Sequence, residues 1–322
     1  MSVLNYVLRR VLVMIPLVLG ISLIAFSIIY LAPGSPAATL LGPKALDPEA
    51  LARVNANLGL DKPIYVQYYK WLLSTARGDL GISIGIIPSK PVGELIKGRI
   101  LPTLELTLSA IILALLVAIP IGVVSAVRQY SAFDHIATIG AFAGISLPNF
   151  WLALMLILVF SVELGWLPSS SIIDPRISSP TIFDYLRHLL IPAFVLGTAS
   201  MAGLTRFVRA SMLDVLRQDY ITTARAKGLS ERKVIYKHGL RNALLPLVTI
   251  LGMSLPGLLS GAVLVETVTG WPGMGRLAVN AVFARDYPVM MALIMIFGVL
   301  VIIGNLIADI VYSYVDPRIR YE

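Results

Sequence analysis

Long uncharged apolar runs are the feature that most restricts how this 322-residue chain can fold. A bilayer core of about 30 Å is crossed by about 20 helical residues. Six such runs predict six spanning helices, at Val11–Ala32, Leu106–Val127, Ile136–Val162, Leu189–Thr205, Asn242–Val265 and Tyr287–Ala308. The fourth run is the shortest, and we expect it to take in flanking residues. The sequence therefore predicts an all-α membrane protein.

The composition agrees with lipid as the main surroundings. Hydrophobic residues make up 57% of the chain and charged residues only 14%. In soluble domains about a quarter of all residues are charged. The net charge of +8 does not indicate a nucleic-acid partner, because membrane proteins collect Lys and Arg on cytoplasmic loops and no nucleic-acid motif is present. Zero cysteines exclude disulfides and thiolate metal sites.

The distribution of basic residues predicts the orientation of the spans. With a cytoplasmic N-terminus, the inner segments hold 14 basic residues and the short outer loops hold four. The first apolar run has 22 residues, longer than the roughly 7–15 of a cleaved signal, so we expect it to be retained. Both termini are then cytoplasmic. The expected parts are a tail with the first span at 1–32, an extracytoplasmic helical loop at 33–100 and a core with five spans at 101–322.

The outer loop carries two helix-start signals. Asp47, Pro48 and Glu49 supply a cap, a first-turn proline and an acidic residue near the helix N-terminus. Pro63 opens a second segment, whose aromatic residues suit a membrane interface: Tyr65, Tyr68, Tyr69 and Trp71. The pattern predicts a small helical unit on the outer face.

One segment concentrates the charge of the chain, with nine basic and three acidic residues between Arg206 and Arg241. Apolar residues recur there at helical steps of three and four: Leu213, Leu216, Tyr220 and Ala224. Gly228 can take the left-handed conformation that ends this helix, and Ser230 can cap a second one. The segment is expected to form a cytoplasmic elbow of two short helices at about 211–240.

Three roles for the elbow are compatible with these physical features. A basic amphipathic elbow can lie on anionic headgroups. It can be an ordinary solvated loop. It can also be a helix that inserts into a groove on a cytoplasmic partner. Residue patterns alone leave the three open.

The elbow resembles the cytoplasmic signature loop of ABC-importer membrane subunits. Its TTARAKG run supplies Ala224, Ala226 and Gly228, with Thr222 where the general pattern has Glu. The longer stretch DYITTARAKGLSERKVIYKHGLRNALLP is similar to the variant in dipeptide and oligopeptide permeases. Other similar stretches occur in order along almost the whole chain: LRRVLVMIPLVLGISLIAF, LAPGSP, LGLDKPIYVQYYKWL, GDLGIS, LPTLELT, GISLPNFWLALMLI, LGWLP, ETVTGWPGMGRL, RDYPV and VDPRIR. The chain resembles the B-type permease subunit of this peptide/nickel family.

The resemblance implies a type I ABC-importer permease fold with six transmembrane helices in a prokaryotic cell membrane. It implies half of a pathway for di- or oligopeptides, with oligosaccharides, nickel complexes and glutathione as alternative cargoes. The implied partners are a C-type permease subunit, two cytoplasmic ATP-binding subunits and an extracytoplasmic peptide-binding protein. The chain itself is expected to be non-catalytic and to hold no cofactor, since ATP and Mg are bound by the ATPase subunits.

The resemblance also implies where the functional residues lie. The expected ATPase-coupling residues are Asp219, Tyr220, Ala224, Ala226, Gly228 and Leu229. Pro148 and Asn149 interrupt the third apolar run, which predicts either a bend tolerated by packing or a kink lining the substrate path. No metal site is expected. The GWPGMG run at 270–275 lacks the Lys-Ser/Thr of a phosphate loop and is predicted to be a turn between helices.

The main rival is an ion-coupled secondary transporter, which usually needs charged groups inside its spans. The predicted span interiors contain almost none, and no inverted repeat is visible. An intramembrane enzyme would need a nucleophile or zinc motif, and the three histidines are scattered at His135, His188 and His238.

Overall fold

A computed structural model describes residues 3–31, 34–42, 46–174, 176–177, 179–247, 250–251 and 262–315, without the side chains of residues 3–9, 58 and 308–315. Within these residues the chain forms helices, turns and one isolated antiparallel bridge between Ile82 and Pro91. The α-helices are α1 (Val3–Leu31), α2 (Pro36–Leu41), α3 (Pro48–Leu58), α4 (Ile64–Ala76), α5 (Val92–Val127), α6 (Ala132–Ser146), α7 (Asn149–Leu156), α8 (Ile182–Leu216), α9 (Asp219–Ala226), α10 (Glu231–Lys233), α11 (Arg241–Ala243), α12 (Val263–Val268), α13 (Met274–Phe283) and α14 (Tyr287–Val315). Two π-helical segments, Ile157–Glu163 and Val234–Leu240, continue α7 and α10.

The long helices extend beyond the apolar runs that predicted them. α5 begins at Val92, so the boundary expected between positions 100 and 101 falls inside a helix. α8 has 35 residues, which supplies the length that the fourth run lacks. Among the described residues, four helices are long and apolar enough to cross a membrane, and the broken third run can form a fifth crossing. The middle of the predicted fifth span lies outside the described residues, so the total of six stays a prediction.

Small residues bring the helices of the bundle close together. An added Cβ at Gly122 of α5 would lie 2.8 Å from the side chain of Val208 in α8. One at Gly197 of α8 would lie 2.8 Å from the carbonyl oxygen of Ala110. α1 approaches α14 at Gly298 in the same way. Such close backbone approach is how helices pack in lipid, where apolar burial between helices gives little driving force.

The segment 34–91, here called the cap, lies at one end of the bundle. Its helix α3 begins as the sequence predicts, because the Asp47 side chain accepts a hydrogen bond from the Glu49 N–H at 3.0 Å and Pro48 occupies the first turn. Gly59, with a φ of +68°, ends α3. The opposite end of the bundle, where α8 enters the elbow, is the elbow end.

Helix α4 attaches the cap to the first span. The rings of Tyr68 and Trp71 pack on Phe26 of α1, with centroid distances of 5.4 Å and 5.9 Å. The Tyr68 hydroxyl also lies 2.8 Å from the hydroxyl of Ser22. Two of the four aromatic residues expected at an interface are therefore used for packing, and Tyr65 and Tyr69 remain exposed.

A buried aspartate attaches the cap to the last span. Asp286, directly before α14, is fully buried and accepts a hydrogen bond from the Ser83 hydroxyl at 2.5 Å. The same carboxylate oxygen accepts the backbone N–H groups of Gly85 and Ile86, each at 3.0 Å. The loop at 83–86 is thereby held against the start of α14, which places the cap on both α1 and α14.

Candidate coupling site

The elbow does not begin as the single amphipathic helix that the apolar spacing predicts. α8 ends at Leu216, and Gln218 has an extended backbone with φ −76° and ψ 147°. The chain restarts as the separate helix α9 at Asp219. The apolar steps from Leu213 to Ala224 therefore cross a break, because the helix direction changes between Leu216 and Asp219.

Helix α9 turns its apolar face towards its own chain. Ile221 and Ala224 are buried and pack against Val234, with Val215 and Leu216 beside them. The neighbours of Ala224 belong to its own chain, so we expect it to support the elbow from inside, and its expected role in ATPase coupling stays a prediction. A larger side chain there would disturb the elbow itself.

Both predicted coupling residues in the first turn of α9 lie at the surface. Tyr220 is 41% exposed, and its hydroxyl accepts a hydrogen bond from the Asn242 side-chain amide at 3.1 Å. Tyr220 is thus available to a partner while being positioned by the segment that follows the elbow. Asp219 lies beside it in the first turn of α9 and is exposed.

Gly228 takes the left-handed conformation that the sequence predicts. Its φ is +74°, and its N–H donates to the carbonyl of Arg225 at 2.9 Å. Nothing lies within 4 Å of a Cβ added there, so backbone conformation rather than space favours glycine. Ser230 follows at the cap position of α10, but its side chain makes no capping hydrogen bond. The predicted hydroxyl cap is therefore not formed, and the Ser230 carbonyl accepts the N–H groups of Lys233 and Val234, as the carbonyl before a helix ordinarily does.

The turn between α9 and α10 exposes both uncharged and basic residues. Ala226, Gly228 and Leu229 are exposed. The exposed basic residues of the same segment are Arg225, Lys227, Arg232, Lys233 and Lys237. Arg225 forms an ion pair with Glu231 at 2.8 Å, and this hydrogen bond holds the pKa of the Glu231 carboxyl below its usual value. The pair ties the C-terminal end of α9 to α10.

The elbow is anchored to the bundle by a second buried cluster. Met212 and Val208 of α8 pack with Ile235 of the π-helical segment and with Ala243 of α11. The Ser211 hydroxyl donates to the carbonyl of Ala243 at 2.8 Å. Because these contacts join both ends of the elbow to α8, a force on the elbow is applied directly to the spans.

The predicted interruption of the third apolar run is much larger than a kink. α6 and the helix continuing through α7 to Glu163 are bent by 106° at Leu147 and Pro148. Both residues have extended ψ angles, 127° and 131°, as expected where a proline disfavours helical geometry in the residue before it. Pro148 is exposed and Asn149 is half-buried. These two residues lie in the third run and the coupling residues lie beyond α8, so the two predicted sites are on different elements.

A buried carboxylate at the cap end was not predicted from the sequence. Glu266 of α12 is fully buried and accepts the N–H of Arg276 at 3.0 Å. A Cβ added at Gly273 would overlap its carboxyl group. The GWPGMG run thus forms a turn in which Gly273 and Gly275 lie against the carboxylate of Glu266, which confirms the predicted turn. The position of Glu266 shortly before the glycine-rich run was the signal in the sequence that could have predicted this contact.

The described part of the chain contains no cluster of three or more His, Asp or Glu side chains suited to a metal ion. The elbow offers shape, charge and an attachment to α8 through buried residues. Such a site is suited to docking and force transfer.

Comparison with known proteins identifies the class. Residues 118–321 match the family "Binding-protein-dependent transport system inner membrane component", and residues 3–97 match "Binding-prot-dependent transport system membrane comp, N-term". The chain belongs to this family of transport-system membrane components. The fold is similar to that of the MetNI methionine ABC transporter in an inward-facing conformation, with a TM-score of 0.53 and 18% identity over 69% of this chain and 96% of that one.

Full-length relatives narrow the class further. The chain is 50% identical to the oligopeptide transport system permease protein AppB of Bacillus subtilis over 98% of this chain and 99% of that protein. It is 43% identical to the dipeptide transport system permease protein DppB of Alkalihalophilus pseudofirmus, over 99% of this chain and 100% of that one. It is 42% identical to the glutathione transport system permease protein GsiC of Salmonella paratyphi A, with the same coverage.

These findings establish the general role of the chain. It is a multi-pass inner-membrane permease subunit of a bacterial ATP-driven ABC importer, with the type I permease fold. It is not catalytic itself, because partner ATPase subunits hydrolyse the ATP in such importers. Its partners are a permease subunit, ATPase subunits and a solute-binding protein.

Proposed function

We propose that this subunit imports di- or oligopeptides as half of a heterodimeric pathway with a C-type permease. The observation that carries this proposal is the 50% identity to an oligopeptide permease over almost the full length of both chains. The glutathione permeases among the relatives support the same class, since glutathione is a short peptide. Oligosaccharides and nickel complexes are the alternative cargoes.

In this proposal both termini and the elbow are cytoplasmic and the cap is extracytoplasmic. The asymmetry of basic residues supports this orientation. The cap then faces the peptide-binding protein. The break at Pro148 and Asn149 gives the third span an irregular backbone, a feature that is tolerated at membrane depth where it is buried in protein or lines a cavity. We assign these two residues to the wall of the peptide path.

The exposed surface of the elbow is the proposed docking site for an ATPase subunit. Ala226 and Gly228 are small and let the backbone approach a groove, while Leu229 adds an apolar contact and Tyr220 an aromatic one. ATP and Mg are bound by the two ATPase subunits, and this chain holds no cofactor. Closure of the ATPases moves the elbow, and its anchoring to α8 carries that movement into the spans as a rigid-body change.

The decisive experiment is reconstitution of the permease pair with both ATPases and the peptide-binding protein in proteoliposomes. We expect ATP turnover to rise with a di- or oligopeptide and the peptide to accumulate inside without any ion gradient. Stimulation by an oligosaccharide or a nickel complex, with none by peptides, would contradict the peptide assignment. Uptake that requires a proton gradient but no ATP would contradict the coupling mechanism.

A further inference from the structure

An ion pair between the buried Asp134 and the partly exposed Arg209 joins α6 to α8 at the elbow end. Asp134, in the first turn of α6, is 2% exposed and accepts two hydrogen bonds from Arg209, at Nε (2.6 Å) and at Nη2 (2.7 Å). The Tyr130 N–H donates to the same carboxylate at 2.9 Å. A two-point guanidinium–carboxylate contact of this kind fixes direction as well as distance.

The contact between the two helices continues towards the middle of the bundle. The guanidinium of Arg206 lies over the ring of Phe142, 4.9 Å from its centroid. Further along, a Cβ added at Gly144 would lie 3.2 Å from Thr198 and 3.6 Å from the Cβ of Ala202. These contacts between α6 and α8 therefore extend from Asp134 to Gly144, which is three residues before the break at Leu147.

Arg209 also lies next to the anchor of the elbow. Its neighbour Val208 belongs to the buried cluster that holds Ile235 and Ala243. Beyond the break, α7 packs against a different part of the bundle. Ala153 contacts the cap-end half of α8 and Val265 of α12. The third apolar run therefore packs with residues near the elbow end before Leu147 and with residues near the cap end after it.

We propose that Asp134 and Arg209 are positioning residues that fix the register of α6 on α8, so that movement of the elbow is transmitted to the third span. Stability alone does not require an ion pair at such a position, because replacing one by apolar residues of similar volume is often neutral or stabilising. Its specific contribution is register, since only one axial and rotational setting of the helices allows both hydrogen bonds. The inference rests on the coupling role of the elbow proposed above.

The first test measures transported substrate per ATP hydrolysed in the reconstituted importer. Asp134→Asn and Arg209→Lys should each lower this ratio by about tenfold while the complex still assembles and hydrolyses ATP. The double variant should be no worse than either single one, because both remove the same contact. Asp134→Glu, which keeps a two-oxygen acceptor, should restore most of the ratio.

The matched control is Asp174→Asn, which removes the carboxylate from the ion pair with the exposed Arg176 and should leave the ratio unchanged. Unchanged ratios in both Asp134→Asn and Arg209→Lys would overturn the proposal. Equal loss of assembly, ATP turnover and transport in all variants would also overturn it, since that result marks a purely structural pair.

The second test uses the absence of native cysteines. The 3.6 Å between an added Cβ at Gly144 and the Cβ of Ala202 suits a disulfide. If α6 and α8 move as one body, oxidising the Gly144→Cys/Ala202→Cys variant should leave transport within about twofold of either single-cysteine variant under the same oxidant. Transport blocked by the cross-link and restored by reduction would overturn the proposal.

A third readout does not depend on the cargo. Spin labels at the exposed positions Ile139 on α6 and Tyr236 in the elbow report their separation. With cysteine-free partner subunits, we expect the same distance in the nucleotide-free and ATP-bound complexes. A nucleotide-dependent change in the otherwise unaltered chain would overturn the one-body inference even if peptide transport is confirmed. A failed peptide assay with a constant distance would affect only the proposed cargo.

Discussion

The Thr103 hydroxyl donates a hydrogen bond to the carboxylate of Glu266 at 2.9 Å and joins helices that are 163 positions apart in sequence. The same hydroxyl accepts the N–H of Met274 at 2.8 Å. One threonine side chain thereby holds α5, α12 and the start of α13 together inside the protein. All three groups are buried, so none of them can be satisfied by bulk water.

Replacing Thr103 by valine keeps the shape of the side chain and removes both hydrogen bonds. Leaving buried polar groups unpaired costs about 1–3 kcal/mol. We therefore expect Thr103→Val to lower the thermal unfolding temperature in detergent, with an exposed threonine, Thr222→Val, as the control. Equal melting temperatures for the two variants would show that the Thr103 contacts are not stabilising.

Gly273→Ala should prevent the GWPGMG turn from closing. The added methyl group would overlap the carboxyl of Glu266, and that buried group has little room to move. We expect little folded protein to be recovered by size-exclusion chromatography. Gly140→Ala is the matched control, because nothing lies within 4 Å of the new Cβ and alanine favours a helix by about 1 kcal/mol. Normal recovery of Gly273→Ala would contradict the described geometry.

Two alanines of α9 should respond differently to the same substitution. Ala224→Asp places a charge in the buried cluster with Ile221 and should destabilise the elbow. Ala226→Asp changes only the exposed surface and should preserve thermal stability while releasing the ATPases. Thermal unfolding and copurification with the ATPases measure the two effects. If Ala226→Asp retains full ATPase binding and uptake, the docking surface lies elsewhere.

The orientation can be tested by labelling single cysteines in this cysteine-free chain. Lys62 in the cap and Arg232 in the elbow are both exposed. In intact cells, an impermeant thiol reagent should modify Lys62→Cys and leave Arg232→Cys unmodified until the membrane is opened. The reverse pattern would place the elbow outside and exclude its docking on a cytoplasmic ATPase.

The purified subunit should not bind ATP by itself. The GWPGMG turn surrounds Glu266, and that carboxylate would repel a phosphate. We expect equilibrium dialysis with labelled ATP to show no binding by the subunit alone and saturable binding once the ATPases are added. Stoichiometric ATP binding by the isolated chain would contradict the proposed division of labour.

Local signals in the sequence predicted local structure well. Three features depend on residues within a few positions of one another. They are the N-terminal capping of α3 by Asp47, the left-handed conformation of Gly228 and the helix interruption at Pro148. The lengths of the apolar runs located the long helices, because the thickness of the bilayer sets how many residues a spanning helix needs. These features could be predicted because each has a physical cause contained in a short stretch of chain.

The remaining features depend on contacts between distant segments. Helical periodicity shows that Ala224 lies on an apolar face, but it does not tell whether that face packs on a partner or on Val234 of the same chain. The pairing of Asp134 with Arg209 spans 75 positions and has no local pattern. The 106° bend depends on where α6 and α7 pack, whereas the proline indicates only that the helix is interrupted.

The burial of Ile221 and Ala224 against Val234 means that the elbow is ordered before any ATPase arrives. Ordering a loose loop on contact would cost about 1–2 kcal/mol of conformational entropy for each backbone residue. In this chain that conformational entropy is lost when the membrane subunit folds. Binding of an ATPase subunit therefore does not have to offset it, and the affinity is higher. If ATPase subunits dock on the elbow as proposed, they would dissociate from and rebind to an unchanged surface, and different ATPases would compete for it by their fit to its shape and charge.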